Sequence, residues 1–599
     1  MRPVNHAWQW FREIYLNNSS VWSFDPAADT WRDRRTLPAP RTAPLRCAAY
    51  DGEHQVTVVF GGEGSQEGTI VYDAYANTWT RMKPAKQPEF RSGGNMAYDA
   101  ANKVHVLFGS QFSDDPHTWA YDLRRNEWRD LKPKQQPPTD RNDAVLAYDA
   151  NGRVVIAVVR AADKVDKNEI ELGHLETWAF DAAKNTWTKL DAPKVPGGFR
   201  NRRRILVAVP DQNLVLMENY VNQSDRLPDA DREQQVWTYR YAAAKPSAAP
   251  PPPTGVKVTT TAKGATVEWQ ASASKDVSEY VVYRGQGEKP WLVEMKSAGK
   301  VAKGRTSFTD RDLTPGALYH YAVKAVTADG KESDFSVRAR AQPQLIEDGT
   351  VSVLSAKEVR LAWAAPKAGD VVGYHVERAA VEVFSEDEIL RLKKDTAPLD
   401  EPSVGALKAV GPFVRLTKEP VKAATYTDDT IDLTKPQTVE GEPAFAHRFR
   451  PDQLDPKGKP YRYGVYAYRV RAVNALGAEG GPSPYWLTIP SAPQHLFAKE
   501  DGETCHLKWQ ANAEQKVKGY RVYRMEGPKV NGPGQPVTRL TAEPVAEPKF
   551  TDAKATKDTK RYWVVAVNAL GQEGFPSAPA WHYREYRKYY EPFVGEWHQ

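Results

Sequence analysis

The stretch Trp509-Gln-Ala-Asn-Ala-Glu-Gln-Lys-Val-Lys-Gly-Tyr520-Arg-Val-Tyr-Arg524 decides how the C-terminal half folds. Tyr520 and Val522 alternate with Arg521, the period of a strand with one buried face and one wet face. The same eleven-residue step from Trp to Tyr occurs twice more, from Trp269 to Tyr280-Val-Val-Tyr-Arg284 and from Trp363 to Tyr374-His-Val-Glu-Arg378. Each copy then gives aromatic-Thr-Asp: Phe308-Thr309-Asp310, Tyr426-Thr427-Asp428 and Phe550-Thr551-Asp552. A long alternating run follows, starting at Tyr321, Tyr468 and Tyr562, and it ends near Gly330 and Glu332, Gly477 and Glu479, or Gly571 and Glu573. Trp on one strand and Tyr on the next would fill a core between two sheets.

These three registers resemble the fibronectin type III module, an immunoglobulin-like sandwich of roughly 90 to 100 residues. The resemblance implies modules at 254–342, 343–489 and 490–585. The middle copy carries about 52 extra residues, since Tyr374 to Tyr468 is 94 residues where the other copies need 41 and 42. Within the first insertion, Ser385 and Glu388 have capping-box spacing, so a short helix is expected over 383–394. Insertions on a rigid sandwich favour binding, which makes 379–460 a candidate docking segment. The segment 581–599 holds seven aromatics in 19 residues. It is a second candidate, with packing onto its own domain as the alternative, and 586–599 is read as a tail beyond the last module.

Outward from the sandwiches, a shorter pattern fills the first 241 residues. An aromatic-Asp pair precedes a Trp by seven residues at Phe24-Asp25 to Trp31, Tyr72-Asp73 to Trp79, Tyr121-Asp122 to Trp128 and Phe180-Asp181 to Trp187. A decayed copy starts at Trp237-Thr238-Tyr239. Four short apolar runs fall within each period, as in Leu45–Tyr50, Gln55–Phe60, Thr69–Tyr72 and Thr78–Met82. That is the signature of a propeller blade. Asp and Asn in the turn bond nearby backbone groups, and the Trp is placed to seal the gap between neighbouring sheets.

The pattern resembles the kelch repeat, although the double glycine Gly61-Gly62 is replaced by Gly109-Ser110, Val159-Arg160 and Glu218-Asn219 in later copies. The expectation is an all-β chain: a kelch-type propeller over 1–241, a proline- and alanine-rich linker over 242–253, then the three sandwiches. At most five blades can be counted. Either the ring is five-bladed and closed by terminal pieces, or further blades and a signal peptide precede residue 1.

Of the 599 residues, 82 are Lys or Arg and 76 Asp or Glu, a net charge of +6 that is mild for this length and argues against a nucleic-acid partner. No apolar run is long enough for a membrane-spanning helix. Cys47 and Cys505 lie in different modules and read as buried hydrophobes. No His pair or Cys-x-x-Cys has metal-ligand spacing, and there is no Gly-x-Ser-x-Gly and no phosphate-cradling loop, so catalytic, cofactor and metal sites are expected to be absent.

One recurrent polar feature survives. Arg41, Arg91, Arg141 and Arg200 follow the tryptophans and lead into the innermost strands, with Asn95, Asn142 and Asn201 close by. Equivalent positions of a propeller converge on one mouth, so these residues form a candidate site for a protein or acidic glycan; as a structural alternative, the arginines clamp loops between blades. The reading is a non-enzymatic binding or scaffold protein, extracellular, at the bacterial cell surface or in the periplasm. One alternative is a carbohydrate-active enzyme, like galactose oxidase or a glycan-cleaving enzyme, with catalytic residues in blades upstream. Another is a structural subunit of a larger extracellular assembly.

Overall fold

A computed structural model describes residues 21–582 apart from 26–28, 37–46, 62–67, 90–94, 110–116, 139–143, 162–173, 193–194, 197–203, 210–211, 222–232, 242–248, 367–368, 384–406, 440–441, 444–462 and 527–536. The described chain is all-β, with one 3-10 turn at Pro290–Leu292. The expected helix at 383–394, most of the middle insertions and most of the aromatic tail lie outside the described residues. By contacts the chain divides into two compact units. One is Pro40–Pro343 with Asn474–Glu479; the other is Met1–Ala39, Gln344–Val473 and Gly480–Gln599.

In the unit containing Pro40–Pro343, the repeats form antiparallel meanders. The first sheet is Cys47–Asp51, Val56–Phe60, Thr69–Asp73 and Thr78–Arg81, and the second is Asn95–Asp99, Val104–Phe108, Trp119–Asp122 and Glu127–Asp130. The third is Val145–Asp149, Val154–Ala161, His174–Asp181 and Thr186–Lys189, with Val195–Pro196 added beside His174–Asp181. The fourth has three strands, Ile205–Val209, Leu214–Val221 and Glu233–Tyr239. The first strands of successive sheets lie side by side, and no comparable packing among the described strands joins the fourth sheet to the first.

The repeated hairpin explains the stacking. Asn77, Asn126 and Asn185 adopt φ of 51°, 54° and 52°, the left-handed turn geometry that Asn tolerates. Asn126 Nδ2 then donates to Met82 O at 2.7 Å, and Asn185 Nδ2 to Leu131 O at 2.6 Å, each on the preceding sheet. Two residues on, the Trp128 indole donates to Thr69 Oγ1 at 2.8 Å and packs 5.0 Å from Phe60. Trp187 does the same with Thr118 Oγ1 at 2.9 Å and Phe108 at 5.2 Å. The tryptophans seal neighbouring sheets, as their register predicts.

The first sandwich, in the same unit, pairs a sheet of Thr254–Thr261, Gly264–Gln270 and Ser307–Arg311 with one ordered Lys296–Ala302, Val277–Gln286, Tyr319–Thr327 and Ala339–Arg340. Trp269 meets Tyr280 edge-on at 5.6 Å in its core. Segment Asn474–Glu479 closes one end of this core: Leu476 is 1% exposed, and its carbonyl accepts from Gly316 N at 2.8 Å.

In the other unit the two-sheet arrangement recurs, with three strands facing six in the second sandwich and three facing four in the third. It appears in Gly349–Ser355, Glu358–Trp363 and Thr425–Asp428 facing a sheet built on Val371–Val383 and Val465–Asn474. It appears again in Phe497–Asp501, Thr504–Lys508 and Lys549–Asp552 facing one built on Gly519–Glu526 and Lys560–Val567. Trp363–Tyr374 and Trp509–Tyr520 repeat the edge-on contact, each at 5.3 Å. Leu570 packs into the core built on Trp363, as Leu476 does into the first sandwich.

All three sandwiches share a triad centred on a buried aspartate that the register holds but the spacing argument did not single out. Arg284 and Tyr321 donate to Asp310 at 2.9 and 2.8 Å, Arg378 and Tyr468 to Asp428 at 2.5 and 2.7 Å, and Arg524 and Tyr562 to Asp552 at 2.8 Å each. Burial alone would raise the Asp428 and Asp552 carboxyls. Hydrogen bonds from Tyr468 and Thr430 with the Arg378 charge at Asp428, and hydrogen bonds from Arg524 and Tyr562 at Asp552, outweigh it and hold both below the ordinary carboxylate range.

The N-terminal hairpin Trp22–Asp25 and Thr30–Asp33 groups with the second and third sandwiches. Arg32 and Arg34 each reach Glu347 at 2.5 Å, and Tyr485 N donates to Arg35 O. Its Trp31 is 61% exposed, unlike the other repeat tryptophans.

Candidate functional site

Each repeat sheet has two ends. At one, the first strand begins and the second ends; at the other lie the tight turns between first and second and between third and fourth strands.

At the strand-start end, Asn95 opens the second sheet and donates Nδ2 to Ala144 O of the third at 2.6 Å, so it serves as a clamp between sheets. The other residues expected there, Arg41, Arg91, Arg141, Asn142, Arg200 and Asn201, lie outside the described residues. Two further arginines are described at this end. Arg160 closes the second strand of the third sheet and is 4% exposed; Arg204 immediately precedes the fourth sheet and is 6% exposed. Strand alternation puts both between the third and fourth sheets. There Arg204 Nε donates to Asn219 Oδ1 at 3.2 Å, and Asn219 is fully buried. The signal for Arg160 was present in the sequence: one guanidinium in the otherwise apolar run Val154–Ala161. A cation buried so deeply is costly unless met by carbonyls or carboxylates.

The turn end of the first sheet is occupied by the first sandwich. Trp291, in the 3-10 turn, is 3% exposed and packs in the core of the first two sheets beside Met82. Lys289 Nζ donates to Thr80 Oγ1 at 2.8 Å. Arg340 Nη1 meets Asp73 Oδ2 at 2.7 Å, with both side chains under a tenth exposed, and its guanidinium lies 4.9 Å over the Tyr75 ring. Tyr75 Oη donates to Gln342 O at 2.9 Å, and Gln55 Nε2 to Arg338 O at 3.0 Å. Arg338 stands 3.5 Å from Glu53, and burial pulls its guanidinium below its ordinary value. The sandwich is therefore fixed to the sheets, although a proline-rich segment precedes it.

The turn end also carries buried imidazoles. Asp51 accepts from Glu53 N, His54 N and His54 Nδ1 at 2.9, 3.0 and 2.6 Å. The wholly buried His105 lies 4.9 Å from the Tyr98 ring and is pushed down to about 4, chiefly by burial. This layout holds the His105 imidazole neutral. Cys47, expected as a buried hydrophobe, is 2% exposed within the apolar core. Among the described residues no group of three His, Cys, Asp or Glu could hold a metal, and no helix is long and apolar enough to cross a membrane.

Residues 251–342 match the family described as "Fibronectin type III domain". This segment is a fibronectin type III domain. The FN1–FN3 domains of chicken CNTN1 align at 15% identity, covering 55% of this chain and 98% of that one, with a TM-score of 0.16. A two-domain fibronectin type III segment from chicken tenascin aligns at 12% identity over 39% of this chain and 98% of that one, with a TM-score of 0.15. The fibronectin type III domain points to binding or scaffolding and not to catalysis.

Proposed function

We propose that this protein is a non-enzymatic binding or scaffold protein of the bacterial cell surface or periplasm. In it a kelch-type propeller, of which the four repeat sheets are part, recognises a protein or an acidic glycan. The sandwiches at 343–489 and 490–585 are read as two further fibronectin type III modules, and the segments 379–460 and 581–599 as secondary docking points. The observation that carries the reading is the division of labour between the two ends of the sheets. The first sandwich covers the turn end of the first sheet through Trp291 and Arg340. The ligand is therefore assigned to the strand-start end, where Asn95, Arg160 and Arg204 lie and into which Arg41, Arg91, Arg141 and Arg200 lead. In a propeller the four repeat positions would converge on one mouth, and guanidiniums so placed would suit a carboxylate-bearing ligand, which they bind in bidentate fashion.

The test is titration calorimetry of the full chain with polygalacturonate and, as a neutral control, dextran. Binding of the acidic polymer alone is expected, lost on replacing Arg91 and Arg141 together by Gln while the melting temperature holds. Equal behaviour of the two polymers, or binding unchanged in the double variant, would overturn the assignment. A drop in melting temperature without any ligand would make the arginines clamps between sheets.

A further inference from the structure

The contact between the first sandwich and the repeat sheets is built over a buried imidazole. His320 lies at the start of the long strand Tyr319–Thr327 and stands opposite Arg340 on the edge strand. Strand alternation puts His320 and Arg340 on one face, away from the core residues Tyr319 and Tyr321. The loop 287–295 covers His320 there and carries Lys289 and Trp291 into the sheets. Gly285, paired with His320 on the other side, makes room for it: a Cβ would lie 2.4 Å from Val293 Cγ1. Arg338 Nη1 donates to Pro290 O of the loop at 3.0 Å.

His320 is 2% exposed, and its Nε2 donates to Gly287 O at 3.0 Å. The ring proton is thereby fixed on Nε2. Nδ1 is left bare, buried and without a hydrogen-bond partner. A second proton can go only to Nδ1, where no acceptor meets it and two guanidiniums stand near. The neighbouring carboxylates are already engaged: Asp73 meets Arg340 at 2.7 Å, Glu53 stands 3.5 Å from Arg338, and Asp51 holds His54. On the loop, Glu288 and Glu294 are exposed. Burial, and after it Arg340 and Arg338, bring the imidazole from 6.5 down to about 4, against the Gly287 bond and the Asp73 charge.

We propose that His320 is an acid-operated latch: neutral, it seats the 287–295 loop and holds the first sandwich on the repeat sheets, and its protonation releases the sandwich as a folded unit. In sequence the chain passes from the sheets to the sandwich once, between Tyr239 and Thr254, so the released sandwich stays tethered. The protonated ring favours the released state, where it titrates near 6.5. The hold is therefore whole above 6.5 and fades as pH falls towards 4. Linkage makes release about 60-fold more favourable at pH 4.5 than at pH 7.

Hydrogen exchange of the full chain, scaled to the intrinsic rate at each pH, tests this. Between pH 7 and pH 4.5, protection at 287–295 and at 53–55 should fall by about 60-fold, while Val56–Phe60 and Tyr319–Thr327 stay protected. His320→Gln, whose amide can still donate to Gly287 O and takes no charge, should keep its protection at pH 4.5. His320→Lys, charged at pH 7, should expose the same two segments there. An equal acid loss in His320→Gln would show that the carboxylates around Arg338 and Arg340 titrate in its place, and would overturn the proposal. So would a wild type that keeps its protection at pH 4.5, or one whose loss spreads through Tyr319–Thr327, which would be unfolding and not release.

Discussion

Replacing Arg340 by Met should loosen the fibronectin type III domain from the repeat sheets without unfolding either. The guanidinium is 3% exposed and sits 2.7 Å from an Asp73 carboxylate that is itself 7% exposed. Asp73 keeps some compensation, since its other oxygen accepts from Tyr75 N and Ala76 N at 3.0 and 3.1 Å. Removing one partner of a buried pair costs about 3–5 kcal/mol, mostly because the other charge stays buried. The retained turn bonds place Arg340→Met near the lower end of that range. Asp73→Asn, which preserves the turn acceptor but strands the guanidinium, should cost as much. Together the two changes should cost little more than either alone, giving a coupling of about 2–3 kcal/mol. Scanning calorimetry is the assay. The wild type should unfold the sheets and the first sandwich in one transition, and Arg340→Met should split it in two. A coupling below about 0.5 kcal/mol, the scale of an exposed pair, or an unsplit transition would refute the view that this contact fixes the domains.

Trp509→Ala should destabilise the third sandwich by about 3–5 kcal/mol, because Trp509 is 3% exposed and edge-on to Tyr520; an unmoved melting curve would break the shared register. Tyr562→Phe removes the hydroxyl that Asp552 accepts at 2.8 Å and should cost about 1–3 kcal/mol by chemical denaturation; no loss would mean the triad is not stabilising. His105 and His320 are both pushed from 6.5 down to about 4, chiefly by burial, and for His320 also by the Arg340 and Arg338 guanidiniums. Both are neutral in the fold while the unfolded imidazole protonates near 6.5. The stability they contribute is therefore whole above 6.5 and is lost as pH falls towards 4, by up to about 3 kcal/mol each. Thermal melts of His320→Gln should show a shallower acid slope than the wild type, and parallel curves would contradict this.

What was legible in the chain was whatever repeats. The eleven-residue step from Trp to Tyr locates three sandwich cores because a sandwich has one way to set a large ring between two sheets. The Asn-x-Trp turn locates the seals between repeat sheets because its bonds run to the adjacent copy. What escaped was the contact made once. Arg338 and Arg340 alternate with small residues and read as a solvated strand edge; only the fold brings Glu53, Asp73 and Tyr75 against them. Trp291 is a lone Trp in a loop, and nothing in its neighbours announces that its pocket lies more than two hundred residues upstream. The buried arginines were obscured differently. The expected rim arginines were read from their spacing after each tryptophan, whereas Arg160 stands in a second strand, outside that spacing, and Arg204 lies four residues beyond Arg200.

The loops that end the long strands carry Val473-Asn-Ala-Leu476-Gly-Ala-Glu479 and Val567-Asn-Ala-Leu570-Gly-Gln-Glu573, while the first sandwich has Asp329 where these have leucine. Leu476 and Leu570 each finish the core of another sandwich, and Asp329 is exposed and salt-bridged to Lys331 at 2.6 Å. Serial order is thus written into one residue at a loop tip. A module moved to the front would expose a leucine to water, and the first module moved back would leave its neighbour's core open. Such sandwiches cannot be shuffled like beads on a string. Recombination that respects domain boundaries but ignores this loop would yield chains in which every part is native and the junctions fail.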